Sequence, residues 1–110
     1  KLEKGRKSYE KASAIKTDYT EVHYNLGVTL QELGQLDAAV KSYEKAIAIK
    51  SDYADAYINL GITLKNLGQL DAAVISYEKA LAINPNYAKA HNNLGNALDD
   101  SGKLDAAVKS

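Results

Sequence analysis

The side chains whose type and spacing could do chemistry are amides. Asn25, Asn59 and Asn93 stand 34 residues apart, each followed by Leu-Gly. A primary amide offers an acceptor and two donors, so it can pair with a peptide group without reading a side chain. The face that carries Asn59 runs through Asp55, Asn59, Ile62 and Asn66, at spacings of four, three and four. This is one side of a helix. Its counterparts are Glu21, Asn25, Val28 and Glu32 upstream, and Lys89, Asn93, Asn96 and Asp100 downstream. Tyr24, Ile58 and Asn92 flank the ladder and change from copy to copy, which suits side-chain discrimination and equally suits drift without function. The competing reading is that the asparagines only brace the scaffold by bonding to neighbouring backbone.

Other reactive groups form no constellation. His23 and His91 occupy equivalent positions two copies apart and lack the four-residue spacing of a helical metal pair, so a structural, partly buried role is expected. Asp99, Asp100 and Asp105 surround a turn signal without the alternating oxygen ligands of a calcium loop. No phosphate-binding glycine loop and no nucleophile elbow is present. The chain contains no cysteine. These observations predict no enzyme and no cofactor or metal. Fourteen basic and fourteen acidic residues give zero net charge, which provides no field for nucleic acid or an anionic membrane. No apolar run approaches the roughly 20 residues of a membrane span.

The elements that position these groups are set by an internal duplication. Residues 20–53 and 54–87 align without a gap at 21 identical positions of 34, and a third copy begins at Ala88. Each copy reads as two antiparallel helices. Leu26, Leu30 and Leu33 mark the core side of the first helix. Gly27, Gly61 and Gly95 lie mid-helix, where glycine is unfavourable unless a neighbouring helix comes close. Gly34, Gly68 and Gly102 end the first helix with a left-handed cap. Asp37 and its equivalents open the second helix, with Asp105 doing so in the third copy, and Asp18, Asp52 and Asn86 are the expected N-caps of the units. Only Asn84-Pro85-Asn86 carries a terminating proline, so the other junctions are expected to be softer.

Leu60-Gly61, Leu64, Gly68, Ala73, Tyr77, Ala80 and Pro85 resemble the tetratricopeptide-repeat (TPR) signature, whose period is 34 residues. The resemblance covers essentially the whole chain and departs at the early aromatic position, which is His23 and His91 in two copies and Tyr57 in one. It implies an all-α, right-handed solenoid of helix pairs, with first helices lining a concave groove and second helices outside. The expected organisation is the second helix of an incomplete repeat (1–19), two full repeats (20–53 and 54–87) and a truncated one (88–110). In the incomplete repeat, Tyr9, Ala12 and Ile15 take the places of Tyr43, Ala46 and Ile49, and Gly5 makes a helix that should fray. Residues Asp105 to Ser110 should be poorly held.

The groove predicted from the resemblance is formed by Tyr24, Asn25, Val28, Asp55, Ile58, Asn59, Ile62, Asn66, Lys89, Asn92, Asn93 and Asn96. Its asparagines are similar to those lining the TPR array of the O-linked N-acetylglucosamine transferase, where they hold the backbone of protein substrates. The carboxylate clamp of chaperone-binding relatives is matched only by Asn59 and Lys89. Tyr24, Val28 and Asn93 replace the Lys, Asn and Arg it needs, which removes most of its positive charge. The implied partner is a protein or an extended peptide. Two further roles follow from the pattern. Both ends interrupt the repeat in the same phase, so copies could stack head to tail. The array could also dock substrates for a larger transferase. A start at Lys1 reads as an excised piece, and leaves the compartment open with the cytoplasm as default.

Overall fold

The computed structural model describes the backbone of residues 19–109 and the side-chain surroundings of residues 19–102. The expectations for Gly5, Tyr9, Ala12, Ile15 and Asp18 lie outside the described residues. Among the described residues five helices follow one another: α1 (19–32), α2 (Leu36–Ile49), α3 (Ala54–Asn66), α4 (Leu70–Ile83) and α5 (Ala88–Lys109). No strand occurs among the described residues. The architecture is the expected all-α repeat solenoid: α3 packs on both α2 and α4, and α5 packs on α4 and α3.

Burial follows from position in this row. On α2 the buried residues are Ala39, Ser42, Tyr43 and Ala46, and on α4 they are the equivalents Ala73, Ser76, Tyr77 and Ala80. One stripe suffices for an outer helix. The inner helix α3 is covered on two sides and buries Ala56, Ile58, Leu60, Gly61, Thr63 and Leu64. Two hydroxyls on these faces are satisfied within their own helix: Thr63 Oγ1 donates to the Asn59 carbonyl at 2.8 Å, and Ser76 Oγ to that of Ala72 at 3.1 Å.

The central contact of each pair is a tyrosine ring lying on a glycine. A Cβ placed on Gly27 would meet Tyr43 Cε1 at 2.6 Å, and one on Gly61 would meet Tyr77 Cε1 at 2.5 Å. Both rings are essentially inaccessible to solvent. Burial of a tyrosine removes about 150–250 Å² from water, worth several kcal/mol, and outweighs the roughly 1 kcal/mol that a mid-helix glycine costs. Among the described residues, nothing lies within 4 Å of a Cβ placed on Gly95.

The turns at Gly34 and Gly68 are left-handed caps, with φ of 79° and 82°. Each closes as a Schellman motif. Gln35 N–H donates to the Leu30 carbonyl and Gly34 N–H to Gln31; Gln69 N–H donates to Leu64 and Gly68 N–H to Lys65. The expectation for Gly102 is corrected. Helix α5 runs through it to Lys109, so residues 88–109 form one helix and Asp105 opens no second one. Reversing the chain at Gly34 or Gly68 is repaid when Tyr43 or Tyr77 docks. In place of that turn, the helical backbone of residues 88–109 continues its i→i−4 hydrogen bonding through Gly102.

The N-cap expectations are also corrected. Helix α3 starts behind Tyr53, not Asp52, while α2 and α4 start behind Gln35 and Gln69, all without a side-chain cap bond. Asp37, Asp55 and Asp71 lie in the first turns, where a carboxylate still meets the positive end of the helix dipole. The junction without proline has the same form as the one with it. Lys50 (φ −126°, ψ 94°) and Asn84 (φ −133°, ψ 89°) are both extended, and each donates its N–H four residues back.

Candidate ligand-binding groove

Helices α1 and α3 are the first helices of successive units, and between them lies a cleft of about 280 Å³. Val28, Gln31 and Glu32 line it from α1, and Asn59 and Asn66 from α3. Val28, Asn59 and Asn66 were expected at the groove, and the structure brings them together. The Schellman turn positions Gln31 and Glu32, since it ends α1 at Glu32.

Asn59 is oriented by a bond across the gap, its Nδ2 donating to the Tyr24 hydroxyl at 2.7 Å. One N–H is thereby used, and Oδ1 stays available as an acceptor. Tyr24 is itself clamped: it stacks on Tyr53 with centroids 4.9 Å apart and lies 5.9 Å from the Tyr43 ring. Burial holds its phenol above the ordinary tyrosine range, helped by the Asp55 charge and opposed by the Asn59 bond. Gln31 is held as well, because Tyr43 donates its hydroxyl to Gln31 Oε1 at 2.7 Å.

The next gap, between α3 and α5, is built differently. Tyr87 donates its hydroxyl to Asp55, and that bond, with burial and the Asp55 charge, pushes its pKa up to about 12. Lys65 Nζ pairs with Asp100 at 3.1 Å, the two side chains being roughly one third and two fifths exposed. Residues 65 and 100 are the repeat equivalents of Gln31 and Asn66. An ion pair therefore spans the downstream gap at the positions where amides line a cleft upstream.

The remaining predicted groove residues divide. Ile58 is corrected: it is 1% exposed and belongs to the core, unreachable by a ligand, although its equivalents Tyr24 and Asn92 are half-buried and exposed. Ile62 packs against the same core. Asn25, Lys89, Asn92 and Asn96 are exposed and Asn93 half-buried, none of them in the cleft. Asp55 is taken by Tyr87. Gln31 was missed, and its signal was the variation Gln31, Lys65, Asp99 at one repeat position. Of the histidines, His23 is half-buried with Nδ1 lacking a partner, whereas the exposed His91 donates from Nε2 to the Pro85 carbonyl at 2.8 Å and ties the turn before α5.

Among the described residues no helix is long and apolar enough to cross a membrane, and no group of three or more His, Cys, Asp or Glu could hold a metal ion. What the fold defines is an α-helical repeat module. The family model described as TPR repeat matches residues 30–68 and 64–102, and the chain belongs to the TPR repeat family. Two crystal structures of MamA share 36% sequence identity with this chain at a TM-score of 0.74, over 82% of it. A MamA point mutant shows 28% identity and a TM-score of 0.71 over 84% of it. The chain spans about half the length of the first two (53% and 49%) and 67% of the third. No curated protein matches.

Proposed function

We propose that this protein binds an extended segment of a protein partner along its first helices, with the α1–α3 cleft as the anchoring point. The observation that carries this reading is the gathering of Val28, Asn59 and Asn66 around one open cleft between α1 and α3. Asn59, fixed by Tyr24, presents Oδ1 to a peptide N–H, and Asn25 and Asn93 offer the same group one period to either side. Such a ladder holds main chain without selecting sequence. In this it is like the transferase array that the sequence resembles. The module itself has no catalytic role in this reading.

The reading is tested with linear peptides selected for binding and measured by fluorescence anisotropy. Replacing Asn25, Asn59 and Asn93 by Ala is expected to weaken binding at least about tenfold while Tm moves by only a few degrees, since the side-chain bond lost from the fold is that of Asn59 to Tyr24. Loss of cooperative folding instead would assign the asparagines to the scaffold.

A second reading, end-to-end association, is favoured by the outer face of α1. Tyr19, Val22 and Leu26 are exposed there, whereas Ala56 and Leu60, the α3 equivalents of Val22 and Leu26, are buried. A concentration-independent monomer in light scattering would remove it.

A further inference from the structure

We infer that the α1–α3 cleft receives an arginine side chain of the bound segment, with Glu32 as its counter-ion. This rests on the groove reading above and adds the chemical class of the partner. Size comes first. At about 280 Å³ the open cleft has room for one inserted side chain.

The lining then selects which side chain. It consists of one carboxylate, three amides and one valine, with no cation. Glu32 forms no ion pair among the described residues. The lysines on neighbouring positions are engaged elsewhere: Lys65 by Asp100, and Lys50 over the Tyr53 ring at 5.0 Å from its centroid. Negative charge extends beyond the cleft. Glu32 helps hold the Tyr43 phenol up, after burial and Tyr24, and Asp55 and Glu21 act likewise on Tyr53. An acidic side chain entering here would meet like charge.

Guanidinium fits better than ammonium because the acceptors are spread out. Glu32 can take two parallel N–H bonds, while Asn59 Oδ1, turned from Tyr24 by the bond its Nδ2 makes, and Asn66 offer further acceptors to the remaining donors of the five-donor fork. The apolar stem would lie along Val28.

The experiment selects a phage-displayed library of random linear dodecapeptides on the full chain and on its Glu32→Gln variant. Arginine is expected in excess over acidic residues among peptides bound by the unaltered protein, and the excess should disappear with Glu32→Gln. A selected peptide resynthesised with citrulline for arginine should bind about fivefold more weakly to the unaltered protein and equally well to the variant. No basic excess, or one that survives Glu32→Gln, overturns the arginine assignment. In that case the groove reading stands if Asn59→Ala and Val28→Lys still abolish binding, and falls with it if neither substitution matters.

Discussion

Two gaps between successive first helices, built from nearly identical repeats, are held in different ways. Upstream, between α1 and α3, aromatic groups bridge: Tyr24 stacks on Tyr53 and accepts from Asn59. Downstream, between α3 and α5, charge bridges: Asp55 accepts from Tyr87 and Lys65 pairs with Asp100. Three substitutions account for the difference. Tyr24 becomes Ile58, which withdraws into the core and leaves Asn93 no hydroxyl to reach. Gln31 becomes Lys65, a pure donor that cannot accept from a tyrosine and turns to a carboxylate instead. Asn66 becomes Asp100, which supplies that carboxylate. The lesson is that the repeat preserves the helix pair through Gly27–Tyr43 and Gly61–Tyr77, while the surface between pairs is free to be stapled or left as an open cleft.

The largest effect tests the conserved part of that contrast. Gly61→Ala drives a Cβ into the buried Tyr77 ring and should cost about 2 kcal/mol in urea denaturation, even after the gain in helix propensity. Gly95→Ala meets nothing and should gain up to about 1 kcal/mol. Equal effects would show that the two glycines sit in like surroundings. Next, Tyr24→Ile copies the downstream residue into the upstream gap. It removes the stack and the acceptor of Asn59, and a loss of about 1–2 kcal/mol is expected, with little left for Asn59→Ala to remove in a double-mutant cycle.

Alkaline titration separates the gaps by pH. Tyr87 has a folded pKa of about 12 against an ordinary 10, so the unfolded chain releases this proton first. The stability it contributes is complete below pH 10 and is lost as pH rises from 10 towards 12. Asp55→Asn removes the charge and should bring the Tyr87 titration down, read from the ultraviolet band of tyrosinate, while leaving Tyr77 at about 12, where burial alone holds it. The smallest effect belongs to Lys65→Ala. A pair this exposed contributes at most about 0.5 kcal/mol, and a larger loss would mean that it carries the downstream gap.

How much of this could be read in the sequence depends on whether the controlling contact lies inside one repeat. The helix pairs, the close approach at Gly27 and Gly61 and the turns at Gly34 and Gly68 are local, and duplication displayed them twice. The cleft face was legible too, because Val28, Asn59 and Asn66 fall on a helical stripe that excludes the core leucines. Ile58 was not legible: its position is accessible in the copies carrying Tyr24 and Asn92, and only the apolar side chain, covered from two sides, turns inward. Gly102 repeats the signal of Gly34 and Gly68, yet no turn forms. A glycine permits a reversal, and the tyrosine that stabilises it lies nine residues further on. Gln31 escaped notice because its partner, Tyr43, is on the other helix of the pair.

The most direct measurement copies the downstream staple into the upstream gap. In the Gln31→Lys, Asn66→Asp double variant, the new ion pair should occupy the cleft. Its stability should stay within about 1 kcal/mol of the unaltered chain, and its affinity for groove-selected peptides should fall at least about tenfold in fluorescence anisotropy. Undiminished affinity in a folded double variant would contradict the assignment of the α1–α3 cleft as the place where the partner is held.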